Sequence, residues 1–288
     1  MNADGEASAT TEPAAIPPST ALPPALQWKK VVSWALYDWA NSAYALIVIT
    51  AFFPIFLKEE WVPPGTAGTV STFRLGMANS LAGLVIAVMA PILGAIADRG
   101  GAKKRFLIFF AGIGVVMTAG LHFVAKGHWG LALALFVLAT MGFSGGNIFY
   151  DSMLVSVAPE KKFDFVSALG FSLGYLGSGL LMILNVLMVR NPQTFGLPDK
   201  AAAIRLAFLL VGIWWAVFTV PLMLFVKEPR QHTGSLGGWT TVKAGLIQFR
   251  DTFRELRKLR MVFLFLAAYW LYIDGVDTII QMAVDYGK

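Results

Sequence analysis

The sequence predicts an all-α, polytopic membrane protein that crosses the bilayer seven times. Of its 288 residues 57% are hydrophobic and only 14% are charged, whereas charged residues make up about 25% of a soluble domain. The apolar residues fall in long blocks, and a block of about 20 such residues is long enough to cross the bilayer as a helix. The predicted spans, numbered one to seven in chain order, are residues 31–57, 75–97, 106–124, 130–157, 165–189, 206–226 and 261–284.

The segment before span one is predicted to be a disordered cytoplasmic tail. Residues 1–27 are rich in proline, alanine and threonine, and they contain three acidic residues but no lysine or arginine. Such a composition offers too little apolar surface to fold alone. A secretory signal peptide would need a basic start followed by a short apolar core, and the segment does not match that pattern.

The distribution of lysine and arginine predicts the orientation. Most of the 23 basic residues lie just before span one, in the loops after spans two and four, and in the long loop after span six. Positively charged loops stay in the cytoplasm, so we expect the N-terminus and these loops to be cytoplasmic. Since the loops account for the formal net charge of +6, we expect no nucleic-acid partner.

The long loop after span six predicts a boundary between two units. Apolar residues recur near its end at steps of three and four, which indicates an amphipathic helix, either on the inner membrane surface or packed against the cytoplasmic ends of the spans. These residues are Leu246, Phe249, Phe253, Leu256 and Leu259. The predicted units are the tail at 1–27, a six-helix bundle at 28–228, the cytoplasmic loop at 229–260 and span seven at 261–288.

Spans one and seven share a short pattern of polar residues. In both, a tryptophan is followed four residues later by an aspartate, then by asparagine or aspartate and by serine or threonine. The residues are Trp34, Asp38, Asn41 and Ser42 in span one and Trp270, Asp274, Asp277 and Thr278 in span seven. The match predicts that span seven is the counterpart of span one in a parallel repeat of two six-helix halves.

The stretch "GAIADRGGAKKR" at the end of span two resembles a motif of the major facilitator superfamily. The matching residues include Gly94, Asp98, Arg99, Gly101, Lys103 and Lys104. The resemblance implies that the aspartate caps a helix end and pairs with basic residues, latching two halves together at the cytoplasmic side. The alternative, a plain positively charged loop, explains the bases but neither the glycines nor the aspartate.

"YDWANSAY" and "YIDGVDTI" look like the vacuole-effluxer branch of that superfamily. The resemblance implies the six-helix N-terminal half of a major-facilitator fold plus the first helix of the second half, with the rest of the second half needed for function. It implies secondary-active transport by alternating access, with efflux of an amino acid or similar small metabolite. A bacterial cytoplasmic membrane is the expected location, so the lipid bilayer and a small-molecule substrate are the expected partners.

Aspartates inside the spans are the candidate functional residues. A charged side chain at the centre of a membrane helix costs roughly 2.5–3.5 kcal/mol, so an intramembrane acid indicates function by default. Burial also favours binding of a proton near neutral pH, which suggests proton coupling; the alternative is a structural hydrogen-bonding role. The candidates for substrate binding or proton coupling are Asp38, Asn41, Asn147, Tyr150, Asp151, Asp274 and Asp277.

Other classes of function find less support in the sequence. The chain has no cysteine and three scattered histidines, so no metal site or cofactor is expected. A membrane-embedded enzyme using Asp274 and Asp277 as a metal pair would need further acids or phosphate-binding bases at that depth. A non-transporting assembly or partner subunit and an inactive truncated product stay as alternatives to a transporter. In span five Gly170, Gly174 and Gly177 are interpreted as sites of close helix packing.

Overall fold

The computed structural model describes residues 26–99, 102–227, 247, 250–251, 254–255 and 257–286. Within these residues the regular secondary structure is helical, and seven of the helical segments are long and apolar enough to cross a membrane. The predicted all-α fold with seven transmembrane helices is confirmed. The predicted tail, apart from its last two residues, and most of the predicted amphipathic helix lie outside the described residues.

Each predicted span corresponds to one of these segments. Span one covers Trp28–Trp61. Spans two to seven are the α-helices Gly68–Arg99, Lys103–Gly120, Trp129–Ser152, Phe163–Arg190, Lys200–Phe225 and Arg260–Tyr286. Short helical turns at Leu121–Phe123, Leu154–Val157, Glu160–Lys162 and Pro192–Phe195 lie between the spans.

Spans two and six begin earlier than hydropathy predicts, because polar residues are accommodated near their starts. In span two, the guanidinium carbon of Arg74 lies 3.9 Å from the centre of the Trp129 ring, a cation–π contact that keeps this base within the helix. In span six, the Asp199 carboxylate accepts a hydrogen bond of 2.7 Å from the Ala202 amide. That N-cap satisfies one of the amides that a helix start leaves free.

Span one is not a uniform α-helix. It is α-helical over Trp28–Ala43 and Phe53–Phe56 and π-helical over Tyr44–Phe52 and Leu57–Trp61. The Thr50 hydroxyl donates a hydrogen bond of 3.0 Å to the Ala45 carbonyl, five residues earlier. Pro54 lies at the restart of the α-helix, where a missing amide hydrogen is tolerated. The π-helical stretch begins three residues after Asn41.

Span one forms the centre of the bundle. Its α-helix packs against spans five and six, span three packs against spans four and six, and span two lies on span four. Beyond its midpoint, span one contributes aromatic rings to a buried cluster, in which Phe53 stacks on Phe136 at 4.1 Å and Trp61 stacks on Phe208 at 5.8 Å. In the α-helical part of span one, Asn41 contacts Asn147 of span four, and Asp38 and Ser42 lie opposite Gly174 of span five.

Spans three and four pack so closely that their backbones are in contact. A Cβ atom added to Gly142 would lie 2.5 Å from the amide nitrogen of Gly114 and 2.7 Å from the carbonyl oxygen of Phe110. Small residues at helix interfaces permit such close approach in membranes. This contact fixes span four, which carries Asn147, Tyr150 and Asp151.

Span seven contacts the others through few residues. It touches the π-helical and second α-helical parts of span one, and the Asn79 amide of span two lies 3.9 Å from the Met282 sulfur. Its side chains are otherwise mainly exposed, as Trp270 and Tyr272 are. The six-helix bundle is thus the packed part of the described structure.

Candidate functional site

A small cavity lies between spans one, four and five and brings together several of the predicted site residues. Its volume is about 120 Å³. The residues that line it are Trp34, Asp38, Asn147, Tyr150, Asp151, Ser167 and Phe171. Two carboxylates, one amide and three aromatic rings thus meet in one place, although they are up to 137 positions apart in the chain.

Asp38 is positioned from span one by a hydrogen bond and by a glycine opposite. The Ser42 hydroxyl, one turn along the same helix, donates a hydrogen bond of 3.0 Å to the Asp38 carboxylate. A Cβ atom on Gly174 of span five would lie 2.7 Å from the Ser42 oxygen and 3.1 Å from the Asp38 carboxyl carbon. The absent side chain of Gly174 therefore leaves the room that this pair occupies.

Asn41 and Asn147 link span one to span four. The Asn41 side-chain nitrogen donates a hydrogen bond of 2.5 Å to the Asn147 side-chain oxygen. The oxygen of Asn41 is buried and has no hydrogen-bond partner in the described structure. Asn147 thus joins span one to span four by this bond and also lines the cavity.

Trp34 and Tyr150 form the aromatic wall of the cavity. Their rings stack with centroids 4.3 Å apart and planes at 10°, and the Trp34 indole nitrogen donates a hydrogen bond of 3.1 Å to the Tyr150 carbonyl. A Cβ atom on Gly170 would lie 2.9 Å from the Trp34 ring. Tyr150 is 5% exposed, and its hydroxyl has no partner among the described residues.

The carboxyl end of span four is held by side chains from elsewhere in the fold. The last carbonyls of a helix have no partners within it. Here the Tyr150 carbonyl accepts from Trp34, and the Ser152 carbonyl accepts a hydrogen bond of 2.9 Å from the Lys103 ammonium. These contacts flank Asp151, so they fix the backbone that carries this carboxylate.

We expect Lys103→Met to weaken the end of span four. A cation at a helix carboxyl end contributes about 1 kcal/mol, and methionine keeps much of the apolar stem while removing the charge and the hydrogen bond. The thermal unfolding midpoint of the purified protein should fall by a few degrees, whereas Lys162→Met, at an exposed lysine, should leave it unchanged. Equal midpoints for the two variants would contradict this role of Lys103.

The remaining residues of the loop motif are only partly described. The side chains of Asp98 and Arg99 and the whole of Gly101 lie outside the described residues, and Gly94 faces open space. The Lys104 ammonium donates a hydrogen bond of 3.0 Å to the Val226 carbonyl at the end of span six. The two lysines thus bind helix ends within the six-helix bundle, and the latch between halves stays a prediction.

The acids of span seven are not part of this cavity. Asp274 is exposed, and its backbone carbonyl accepts a hydrogen bond of 2.8 Å from the Thr278 hydroxyl. The side chain of Asp277 lies outside the described residues. The structure therefore brings together Asp38 and Asp151, while the convergence of Asp274 with them stays a prediction.

The charges in the cavity have no basic partner. Among the described residues, no ion pair joins Asp38 or Asp151 to a lysine or arginine, and no group of three or more histidine, cysteine, aspartate or glutamate residues has the geometry of a metal site. Asp38 is half-buried and Asp151 is exposed to the cavity side. The arrangement can bind protons or cationic groups at both carboxylates.

Sequence reasoning missed three lining residues. In the sequence, Trp34 was noted only in the pattern that spans one and seven share, and Ser167 and Phe171 of span five were not predicted as site residues. The signal for the last two lies in Gly170 and Gly174, because glycines spaced by four residues mark the face of span five that meets span one. The interpretation of these glycines as packing positions is confirmed by the contacts that added Cβ atoms would make.

Comparison with known proteins identifies the family. The family model described as "Vacuole effluxer Atg22 like" matches residues 65–163 and 156–288. The chain belongs to the vacuole effluxer Atg22-like family. This confirms the predicted resemblance to the vacuole-effluxer branch.

Relatives within the Atg22-like family include bacterial and fungal proteins. The chain is 41% identical over 268 residues to YxiO, an uncharacterized MFS-type transporter of Bacillus subtilis, a match that covers 90% of this chain and 60% of that protein. It is 30% identical over 141 residues to autophagy-related protein 22 of Yarrowia lipolytica, covering 43% of this chain and 23% of that protein. It is 24% identical over 366 residues to autophagy-related protein 22 of Coccidioides immitis, a match that covers 90% of this chain and 59% of that protein.

The Atg22-like chain is an integral, multi-pass membrane protein. Seven helices among the described residues have the length and hydropathy of membrane spans, and its relatives include an MFS-type transporter. The chain spans about 60% of the length of that transporter.

Proposed function

We propose that this chain is the cargo-binding part of a secondary-active transporter that moves a small amine-bearing metabolite, such as an amino acid, out of the cell. Transport follows alternating access and is coupled to protons. The observation that carries the proposal is the cavity in which Asp38 and Asp151 lie together among membrane-spanning helices, without a basic partner in the part of the chain that the structure describes. Family membership and the relationship to an MFS-type transporter support it.

The physical argument concerns the cost of these carboxylates. A carboxylate inside a membrane span has a high free-energy cost, and such residues are typical of ligand or proton sites. Two like charges in a small cavity also disfavour each other's ionised form. A proton or a cationic group relieves that repulsion. Exchange of a proton for the amine of the cargo would then couple the two fluxes.

Alternating access also needs a second wall opposite the cavity. Span seven repeats the tryptophan and aspartate pattern of span one, so we propose that it begins this wall, with Asp274 and Asp277 facing Asp38 in the assembled carrier. The concentration of basic residues in the loops near the N-terminus supports a cytoplasmic N-terminus and insertion in the bacterial cytoplasmic membrane.

The test is a flux assay in proteoliposomes. The protein is expressed with any coding sequence that follows codon 288, reconstituted, and exposed to a pH gradient in the presence of radiolabelled amino acids. We expect Asp38→Asn to reduce gradient-driven flux at least about tenfold, since asparagine can neither bind the proton nor offer a charge. Asp164→Asn, at an exposed aspartate in the first turn of span five, is the matched control and should keep the normal rate.

The proposal fails in two recognisable ways. Normal flux in the Asp38→Asn variant would exclude this residue as the proton carrier. Absence of gradient-driven flux of any amino acid in the unaltered protein, together with purification in a stable complex with another membrane protein, would favour the non-transporting partner subunit.

A further inference from the structure

We propose that a water molecule is bound inside the six-helix bundle, between spans one and six, where it bridges Tyr37, Asn41 and Trp215. The inference is independent of the proposed transport function, because it concerns the packed interior of the bundle and not the cavity. The site is enclosed by spans one, three, four and six, which the structure describes on every side of it.

The first argument is a set of three buried polar atoms. The Tyr37 hydroxyl, the Asn41 side-chain oxygen and the Trp215 indole nitrogen have no hydrogen-bond partner among the described residues. None of the three residues is more than 1% exposed. Buried polar atoms without partners are rare in native proteins, and those that the protein does not satisfy bind ordered water. Three such atoms in one place therefore indicate a bound molecule.

The second argument is that these atoms lie close together in an enclosed place. Tyr37 and Asn41 are one turn apart on span one, and the Tyr37 hydroxyl faces both the Asn41 amide and the Trp215 indole. The Trp215 ring lies against Gly114 of span three. From span four, a Cβ atom added to Gly146 would lie 2.6 Å from the Tyr37 oxygen. The glycines thus leave the room in which the polar ends of the two rings meet.

The third argument identifies the bound molecule from its three partners. An indole nitrogen can only donate a hydrogen bond, and an amide oxygen can only accept one. A molecule that satisfies both Trp215 and Asn41 must therefore accept and donate, which a metal ion or an ammonium group cannot do. Water does both, and a third hydrogen bond with the Tyr37 hydroxyl gives the three bonds that are typical of buried water.

The bound water extends a polar connection across the bundle. Asn41 donates a hydrogen bond to Asn147 of span four, and Asn147 lines the cavity. Through the water, Trp215 of span six is joined to this pair of asparagines. Water-mediated hydrogen bonds are nearly as favourable in enthalpy as direct ones, so the connection ties spans one, four and six together at the level of Asn41.

The experiment is X-ray radiolytic footprinting of the purified protein. Ionising radiation converts water into hydroxyl radicals, which oxidise the side chains next to that water, and mass spectrometry locates the added oxygen. The controls are Tyr44 and Trp61, which are 0% exposed but have protein hydrogen-bond partners for their polar atoms. We expect Tyr37 and Trp215 to be oxidised at least about tenfold faster than these controls, since only they contact the buried water.

A conservative variant assigns the oxidation to this site. Tyr37→Phe keeps the ring and removes one of the three partners of the water. We expect the oxidation rate of Trp215 to fall about fivefold, because a water with fewer hydrogen bonds is held less firmly. Tyr175→Phe is the matched control, since Tyr175 is 78% exposed on span five, and it should leave the rate at Trp215 unchanged.

Three results would overturn the inference. If Tyr37 and Trp215 are oxidised as slowly as the controls, their side chains bond directly without water. Oxidation of Tyr37 alone would assign the radicals to the cavity, because its ring centre is 5.1 Å from that of Tyr150, a residue that lines the cavity. An unchanged rate at Trp215 in Tyr37→Phe would place the water elsewhere. Rapid oxidation of both residues that is lost at Trp215 in this variant supports the proposed site.

Discussion

Replacement of Gly142 by alanine is expected to prevent the six-helix bundle from packing. The added methyl group would lie 2.5–2.8 Å from three backbone atoms of span three, contributed by Gly114 and Phe110. Backbone atoms cannot rotate away as a flexible side chain can, so spans three and four must separate. Overpacking of this kind costs about 3 kcal/mol, and we expect a lower thermal midpoint and an aggregated fraction in size-exclusion chromatography in mild detergent.

Gly112→Ala is the matched control for that substitution. Gly112 lies on the same helix as Gly114, is exposed, and has no atom within 4 Å of an added Cβ atom. Alanine is also the better helix former by up to about 1 kcal/mol, so this variant should be as stable as the unaltered protein. If Gly142→Ala elutes and melts like Gly112→Ala, the close contact of spans three and four is incorrect.

Trp34→Ala is expected to remove both the aromatic wall of the cavity and a support of span four. The side chain is 3% exposed, stacks on Tyr150 and donates a hydrogen bond to its carbonyl. Truncation of a buried tryptophan costs about 3–5 kcal/mol, and here it also removes one of the hydrogen bonds to the Tyr150 carbonyl, beside Asp151. We expect loss of flux in proteoliposomes together with a lower thermal midpoint.

Two variants separate the contributions of Trp34. Trp34→Phe keeps a stacking ring but lacks the indole donor, so it should recover most of the stability. Trp28→Ala is the control for loss of a tryptophan from span one, because Trp28 is 53% exposed and makes only an edge contact with Phe165 at 6.2 Å. Similar effects of Trp34→Ala and Trp28→Ala would argue against a specific role of the buried ring.

Hydropathy was sufficient to predict the number and order of the spans, because the bilayer imposes a length on apolar helices that a single sequence displays. It was less accurate at the ends. Arg74 and Arg205 lie within helices, whereas a span predicted from its run of apolar residues begins only after such a basic residue. Their accommodation depends on tertiary contacts, such as the Trp129 ring beneath Arg74, which the local sequence does not show.

The candidate site was predictable in part for a similar reason. An aspartate in an apolar helix is conspicuous, so Asp38 and Asp151 were identified from sequence. Ser167 and Phe171 are unremarkable residues in span five, and only the packing of that span on span one places them in the cavity. The role of Lys103 was missed because a capping contact with Ser152 joins residues far apart in the chain.

The π-helical stretch Tyr44–Phe52 also bears on how family members should be aligned. A π-turn closes its hydrogen bond across one more residue than an α-turn, so a homologue with a regular α-helix here would reach the same height with fewer residues. An ungapped alignment would then match Asp38 correctly but pair Phe53 and Phe56 with residues of another face. A single gap inside span one, a position that alignments ordinarily avoid, would keep both ends of the helix in register.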